Sequence, residues 1–134
     1  MSSPPESFTG DWITDDHPRY SEAIARWAAN AERRAKAVAF VKNAQDVGIV
    51  LNYAKQHKLL IAVRGGGHSP SGASSIEGGI VIDLSRHLSN VRVDPVEKLA
   101  YVGGGAIWET VDKTAIEHGL ATVGGTVNHV SLLR

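Results

Sequence analysis

The stretch with the most chemistry in this sequence is Val63-Arg64-Gly65-Gly66-Gly67-His68-Ser69. Three consecutive glycines remove the Cβ atoms, so successive backbone N–H groups can converge as an anion nest. A phosphate or pyrophosphate suits such a nest, held by charge-assisted hydrogen bonds, and Ser69 adds a hydroxyl donor. The competing reading of the triplet is a tight turn that needs positive φ. Further glycines follow in Gly103-Gly104-Gly105 and in Gly124-Gly125-Thr126-Val127-Asn128-His129, and twelve of the 14 glycines fall between Gly65 and Gly125. Clustering of this kind lets backbone approach something closely.

Other chemistries are excluded or unsupported. No Gly-x₄-Gly-Lys-Ser/Thr is present, which argues against a P-loop phosphotransferase. The third glycine of a Rossmann fingerprint beginning at Gly103 would fall on Trp108, and an indole cannot pack a helix against a strand as that glycine does. His17, His57, His87 and His118 lack metal-ligand spacing, and the absence of cysteine removes disulfides and thiolate sites. No catalytic residue is identifiable and no metal site is expected.

The elements that position these groups read as an α+β or α/β mix. Residues 1–17 read as an extended, solvated arm, and residues 20–35 as a helix. That helix carries Ala23, Ile24, Trp27, Ala28 and Ala31 on one stripe, with Ser21 as its N-cap. Residues 37–41 and 59–63 are continuous apolar strands flanking a helix over 43–56, a βαβ unit whose strands run parallel. Residues 80–84 form another buried-type strand, and 91–93 with 98–103 form a hairpin around Asp94-Pro95. A helix over 107–118 turns Ile107, Val111, Ala115 and Ile116 inward and stops at Gly119, followed by a short strand at 121–123. Asp83 orients the glycine loop or caps a turn. Trp12, Trp27 and Trp108 read as core or edge packing, and Arg33, Arg34 and Lys36 as a solvated helix end.

The 134 residues set a prior of one domain, and Lys plus Arg equals Asp plus Glu at 14 each. A neutral chain lacks the basic excess of a general nucleic-acid binder. No apolar run approaches the roughly 20 residues of a membrane span, and no secretory h-region is present. The expectation is therefore an intracellular protein with neither nucleic-acid nor membrane partners.

Arg64-Gly-Gly-Gly-His-Ser69, Ile80-Val-Ile-Asp-Leu-Ser85, Val102-Gly-Gly-Gly-Ala106 and Gly119-Leu-Ala-Thr-Val-Gly-Gly-Thr126 occur in one order. Together they resemble the FAD-binding domain of the vanillyl-alcohol oxidase/p-cresol methylhydroxylase (PCMH) flavoproteins, nearest to the berberine-bridge-enzyme-like oxidases. The resemblance implies the N-terminal subdomain of a PCMH-type domain, with a small mixed or parallel sheet flanked by helices. It implies FAD as cofactor, bound by Arg64, Gly65, Gly66, Gly67, His68, Ser69, Gly125, Thr126 and Asn128. His68 would be the covalent anchor to the flavin's 8α-methyl, the alternative being a hydrogen bond within the loop. Asn128 and His129 face the flavin or belong to a solvated loop. A second, cysteine-borne link is excluded by composition.

The family pattern continues past His129 with further glycines, where this chain reads Val130-Ser131-Leu132-Leu133-Arg134. The division expected is an arm over 1–17, an incomplete FAD-binding subdomain over 18–129 and a divergent tail over 130–134. The resemblance implies a flavin-dependent oxidase of an alcohol, a sugar hydroxyl or an activated C–H, with oxygen as acceptor. A small-molecule substrate belongs only to a full-length form, and the fragment alone would be inactive. The alternatives are a non-catalytic nucleotide- or partner-binding fragment of the same fold, or a poorly folded remnant.

Overall fold

A computed structural model describes residues 3–132. Four strands form one mixed sheet in the order β1-β2-β4-β3, and β5 and β6 form a separate two-stranded sheet. The central pair, β2 (Ala37–Phe40) and β4 (Ile80–Asp83), is buried along its whole length. Ala-Val-Ala-Phe and Ile-Val-Ile are continuous apolar runs packed on both faces, the pattern of a parallel interior strand, and β4 ends in Asp83. β3 (Ile61–Arg64) joins β4 in parallel register, with Arg64 opposite Asp83. The expected βαβ strands are therefore parallel, with β4 inserted between them. That insertion makes β3 an edge strand, with Val63 54% exposed, rather than the buried strand its composition implies.

α2 (Ala44–Gln56) links β2 to β3, and Asn43 caps it by accepting from the Asp46 N–H. Asp46 is itself buried and accepts from the backbone N–H groups of Thr9 and Lys42 and from the Thr9 hydroxyl. The hairpin forms as β5 (Val91–Asp94) and β6 (Leu99–Val102), and α3 (Trp108–Ile116) buries Val111 and Ala115. Gly119 follows with φ +66, the left-handed stop expected there, whereas Ile116 is exposed.

Three expectations are corrected. Part of the N-terminal arm is β1 (Asp11–Thr14), antiparallel to β2, with Ile13 and Thr14 buried. Asp11 holds it in place by accepting from Arg86 and His87 at 2.9 and 2.8 Å. The helix over 20–35 is only α1 (Tyr20–Ile24), begun at Arg19 without a side-chain cap, followed by a 3-10 turn at Ala29–Ala31. It ends because Ala25 turns extended and the Arg26 guanidinium takes the carbonyls of Ala23, Ile24 and Ala25. Trp27 on the supposed apolar stripe is 68% exposed. Residues 121–123 are exposed and pair with neither sheet, so no strand forms there.

Candidate functional site

Strands β2, β3 and β4 run parallel, so their carboxyl ends share one side of the sheet. Ligands of open parallel sheets bind on that side. Gly65, Gly66 and Gly67 leave β3 there. Gly67 has φ +74, a conformation open to glycine, and its carbonyl accepts from the Trp27 N–H. Beneath the loop Asp83 is fully buried. One of its oxygens accepts from Arg64 Nη1 at 3.0 Å, the other from the Ser85 N–H and hydroxyl. Asp83 thus both orients the loop and closes the turn after β4. The Arg64 guanidinium also donates to the Ala23 carbonyl, so its head group points into the protein and not toward the loop's outer face.

His68 is half-buried, with its ring centroid 5.0 Å from that of His129 and 5.9 Å from Trp27. Burial holds its pKa below the usual histidine value, helped by the neighbouring charges of His129 and Arg64 and partly offset by a hydrogen bond with the His129 backbone. The imidazole is therefore neutral near pH 7, the form in which a ring nitrogen has a free electron pair. The Ser69 hydroxyl pairs with Ser71 at 3.0 Å.

The segment that brings His129 to His68 is laid down by α3. Glu109 N–H donates to the Asn128 carbonyl at 2.6 Å and Trp108 N–H to the Val130 carbonyl at 3.0 Å. These bonds satisfy donors of the helix's first turn. Gly124 and Gly125 lie against the Trp108 indole, where a Cβ would come within 2.6 and 2.8 Å of it. Both glycines are there because only backbone fits on the ring. A cavity of about 320 Å³ opens here, lined by Trp108, Gly125, Thr126, Val127, Val130 and Leu132 together with Ser131. Ser131 pairs with Ile107 and packs on Gly65 and Gly66, joining this segment to the glycine loop. Gly103 and Gly105 are packing positions, where a Cβ would meet the Leu88 and Leu84 carbonyls at 2.2 and 2.0 Å.

The structure thus gathers the loop of residues 64–69 and the segment 125–131 on one side. Sequence reasoning missed Trp108 as the floor of the cavity, Ser131 as the joint, and Arg26 behind the loop. The Gly-Gly pair at 124–125 was the available signal for a large flat neighbour.

A glycine loop at the carboxyl ends of parallel strands, faced by a second glycine-bearing segment, defines the nucleotide-binding part of a PCMH-type flavoprotein domain. The chain belongs to the FAD binding domain family, whose pattern matches residues 35–132. It is similar to an (R)-6-hydroxynicotine oxidase of Paenarthrobacter nicotinovorans, 35% identical over 121 residues, covering 90% of this chain and 26% of that protein. It is also similar to an uncharacterised FAD-linked oxidoreductase of Bacillus subtilis, 35% identical over 124 residues, 92% of this chain and 27% of that one. The crystal structure of 6-hydroxy-D-nicotine oxidase from Arthrobacter nicotinovorans superposes with a TM-score of 0.91 at 33% identity, over 98% of this chain and 28% of that one. A berberine-bridge-enzyme-like protein of Physcomitrella patens shares the fold, with a TM-score of 0.84 at 22% identity over 93% of this chain and 28% of that one. The chain spans about a quarter of the length of these relatives. FAD is the cofactor of the domain.

Proposed function

We propose that this chain is the FAD-binding portion of a flavin-dependent oxidoreductase of the berberine-bridge-enzyme-like kind. The whole protein would oxidise an alcohol, a sugar hydroxyl or an activated C–H, with oxygen as acceptor. The residues present fit the cofactor. A glycine loop sits over half-buried cationic groups whose buried Nε atoms, on Arg26 and Arg64, have no partner among the described residues. The loop's backbone N–H groups would be the donors to a pyrophosphate, with that positive charge behind them. When bound, the flavin supplies the hydride acceptor, and the protein's share is position and electrostatics.

The backbone of Gly65, Gly66 and Gly67, with His68 and Ser69, would hold the pyrophosphate side. Gly125, Thr126 and Asn128 would line the flavin side. His68 would supply a ring nitrogen for a covalent link to the flavin's 8α-methyl, a C–H of that methyl and the ring N–H being lost and the two electrons passing through the flavin to oxygen. The observation that carries this reading is the meeting of His68, on the glycine loop, with His129, on the segment after Gly125, at 5.0 Å within a matched FAD binding domain. The neutral imidazole supports the covalent role, because a protonated ring is no nucleophile.

The test is expression of the chain with FAD, followed by intact mass after denaturation. An adduct of one FAD is expected in the parent chain and none in His68→Ala. A folded parent chain that binds FAD without any adduct would sink the covalent claim and leave FAD binding standing.

A further inference from the structure

We propose that Arg26 is a positioning residue for the pyrophosphate: with Arg64 it forms a half-buried cationic base beneath Gly67 that Asp83 neutralises only in part, leaving positive charge for the diphosphate to meet. The proposal rests on the FAD reading above and adds to it a source of charge behind the loop.

Arg26 Nη1 donates to the carbonyls of Ala23, Ile24 and Ala25 at 3.4, 2.9 and 2.8 Å, and Nη2 donates to the Ser74 carbonyl at 2.7 Å. One side chain therefore ties the end of α1 to the segment beyond the glycine loop. Its neighbour Trp27 holds the Gly67 carbonyl at 3.3 Å. A Cβ on Gly67 would lie 2.9 Å from Arg64 Nε and 3.4 Å from Arg26 Cδ, so both arginines run directly under this glycine. Arg26 and Arg64 converge on one acceptor, the Ala23 carbonyl.

The charges do not balance. The acceptors of Arg26 are neutral carbonyls, and the one carboxylate hydrogen-bonded in the cluster among the described residues, Asp83, is shared by Arg64 and Ser85. Glu32 acts on Arg26 only through space, alongside Asp83, while burial and Arg64 pull the Arg26 pKa down to about 10. A neutral donor could cap the α1 carbonyls without setting two guanidinium groups side by side. The pairing is unfavourable until an anion shares the field. Four buried atoms around the loop lack partners among the described residues: Arg26 Nε, Arg64 Nε, Ser74 Oγ and Ser75 Oγ. A doubly charged diphosphate across the glycines answers the excess charge through backbone that carries no side chain to separate them.

The test separates phosphate from flavin. FAD, ADP and riboflavin are titrated calorimetrically into the full chain, its Arg26→Met variant and its Arg26→Lys variant. Arg26→Met should weaken FAD and ADP by about tenfold and leave riboflavin unchanged. Arg26→Lys keeps the charge without the fork and should stay within about threefold of the parent for ADP. Equal losses for riboflavin and ADP would make Arg26 merely structural and overturn the proposal, as would unchanged ADP binding in Arg26→Met. If Arg26→Met does not fold, a tenfold ADP loss in Arg26→Lys overturns it instead. A parent chain that binds riboflavin but neither FAD nor ADP defeats the charge argument alone. A folded parent that binds none of the three defeats the FAD reading beneath it.

Discussion

His68 carries the sharpest consequence at the level of single residues. Burial and the nearby charges of His129 and Arg64 depress its pKa in the folded chain, so the unfolded chain binds this proton more readily. Its contribution to stability is full above the unfolded value of about 6.5 and is lost as pH falls through the lower folded value. Urea unfolding at a series of pH values should show the parent chain losing stability below about pH 6.5 more steeply than His68→Gln. Parallel curves for the two would contradict the depressed pKa. Gly67 makes a second prediction. With φ +74 and Arg64 Nε directly behind it, Gly67→Ala should destabilise the chain by about 1–3 kcal/mol in the same assay. These residues were legible in the sequence because a missing Cβ and an imidazole declare their chemistry without a neighbour. Arg26 was not. Its position in an alanine-rich helical pattern hid a side chain that ends the helix by folding back on it.

α2, β2, β4 and the hairpin form where local signals place them, the helical spacing over 20–35 breaks at Arg26, and β1 and β3 take their places from their partners. α2 announced itself through the Asn43 cap and its apolar spacing, and β2, β4 and the hairpin through short apolar runs bounded by turn residues. β1 carries Asp11 and is followed by Asp15 and Asp16, so it reads as solvated until β2 is placed beside it. Its Asp11 then finds Arg86 and His87 from a loop 75 residues away. β3 looked interior by composition, and only the sheet order makes it an edge. The glycines divide along the same line. Gly48 lies within α2 with nothing near its missing Cβ, so Gly48→Ala should raise stability by about 0.5–1 kcal/mol. Gly105 faces the Leu84 carbonyl at 2.0 Å, and Gly105→Ala should destabilise, since backbone on both sides must shift. Thermal melts of the two variants should move in opposite directions. A common direction would mean that the turn before α3 yields where the structure holds it rigid.

On the scale of the molecule, the core lies on both faces of the four-stranded sheet, with Val38 and Val81 in one cluster and Ala39, Ile80 and Ile82 in the other. Ile80, Ile82, Val38 and Val41 are fully buried, while Leu60, Val63, Val123, Val127 and Trp27 stand exposed. Two of these, Leu60 at 71% and Val63 at 54% exposure, lie on or beside β3, the strand that ends the sheet. An edge strand that presents apolar side chains and no charge is a template for pairing with another chain. Natural edges are guarded by lysine, proline or a covering segment, and β3 has Arg64 turned inward to Asp83 instead. The chain by itself should therefore self-associate in a concentration-dependent way. Sedimentation velocity is the measurement. Val63→Lys should shift the distribution toward monomer and leave the melting temperature nearly unchanged, because the side chain is exposed in the folded chain. FAD should not have the same effect, since the glycine loop lies past the end of β3 and not along its edge. A parent chain that stays monomeric at high concentration would place the exposed residues among the scattered apolar groups of any surface. Self-association removed by FAD and untouched by Val63→Lys would move the sticky surface to the cavity floored by Trp108.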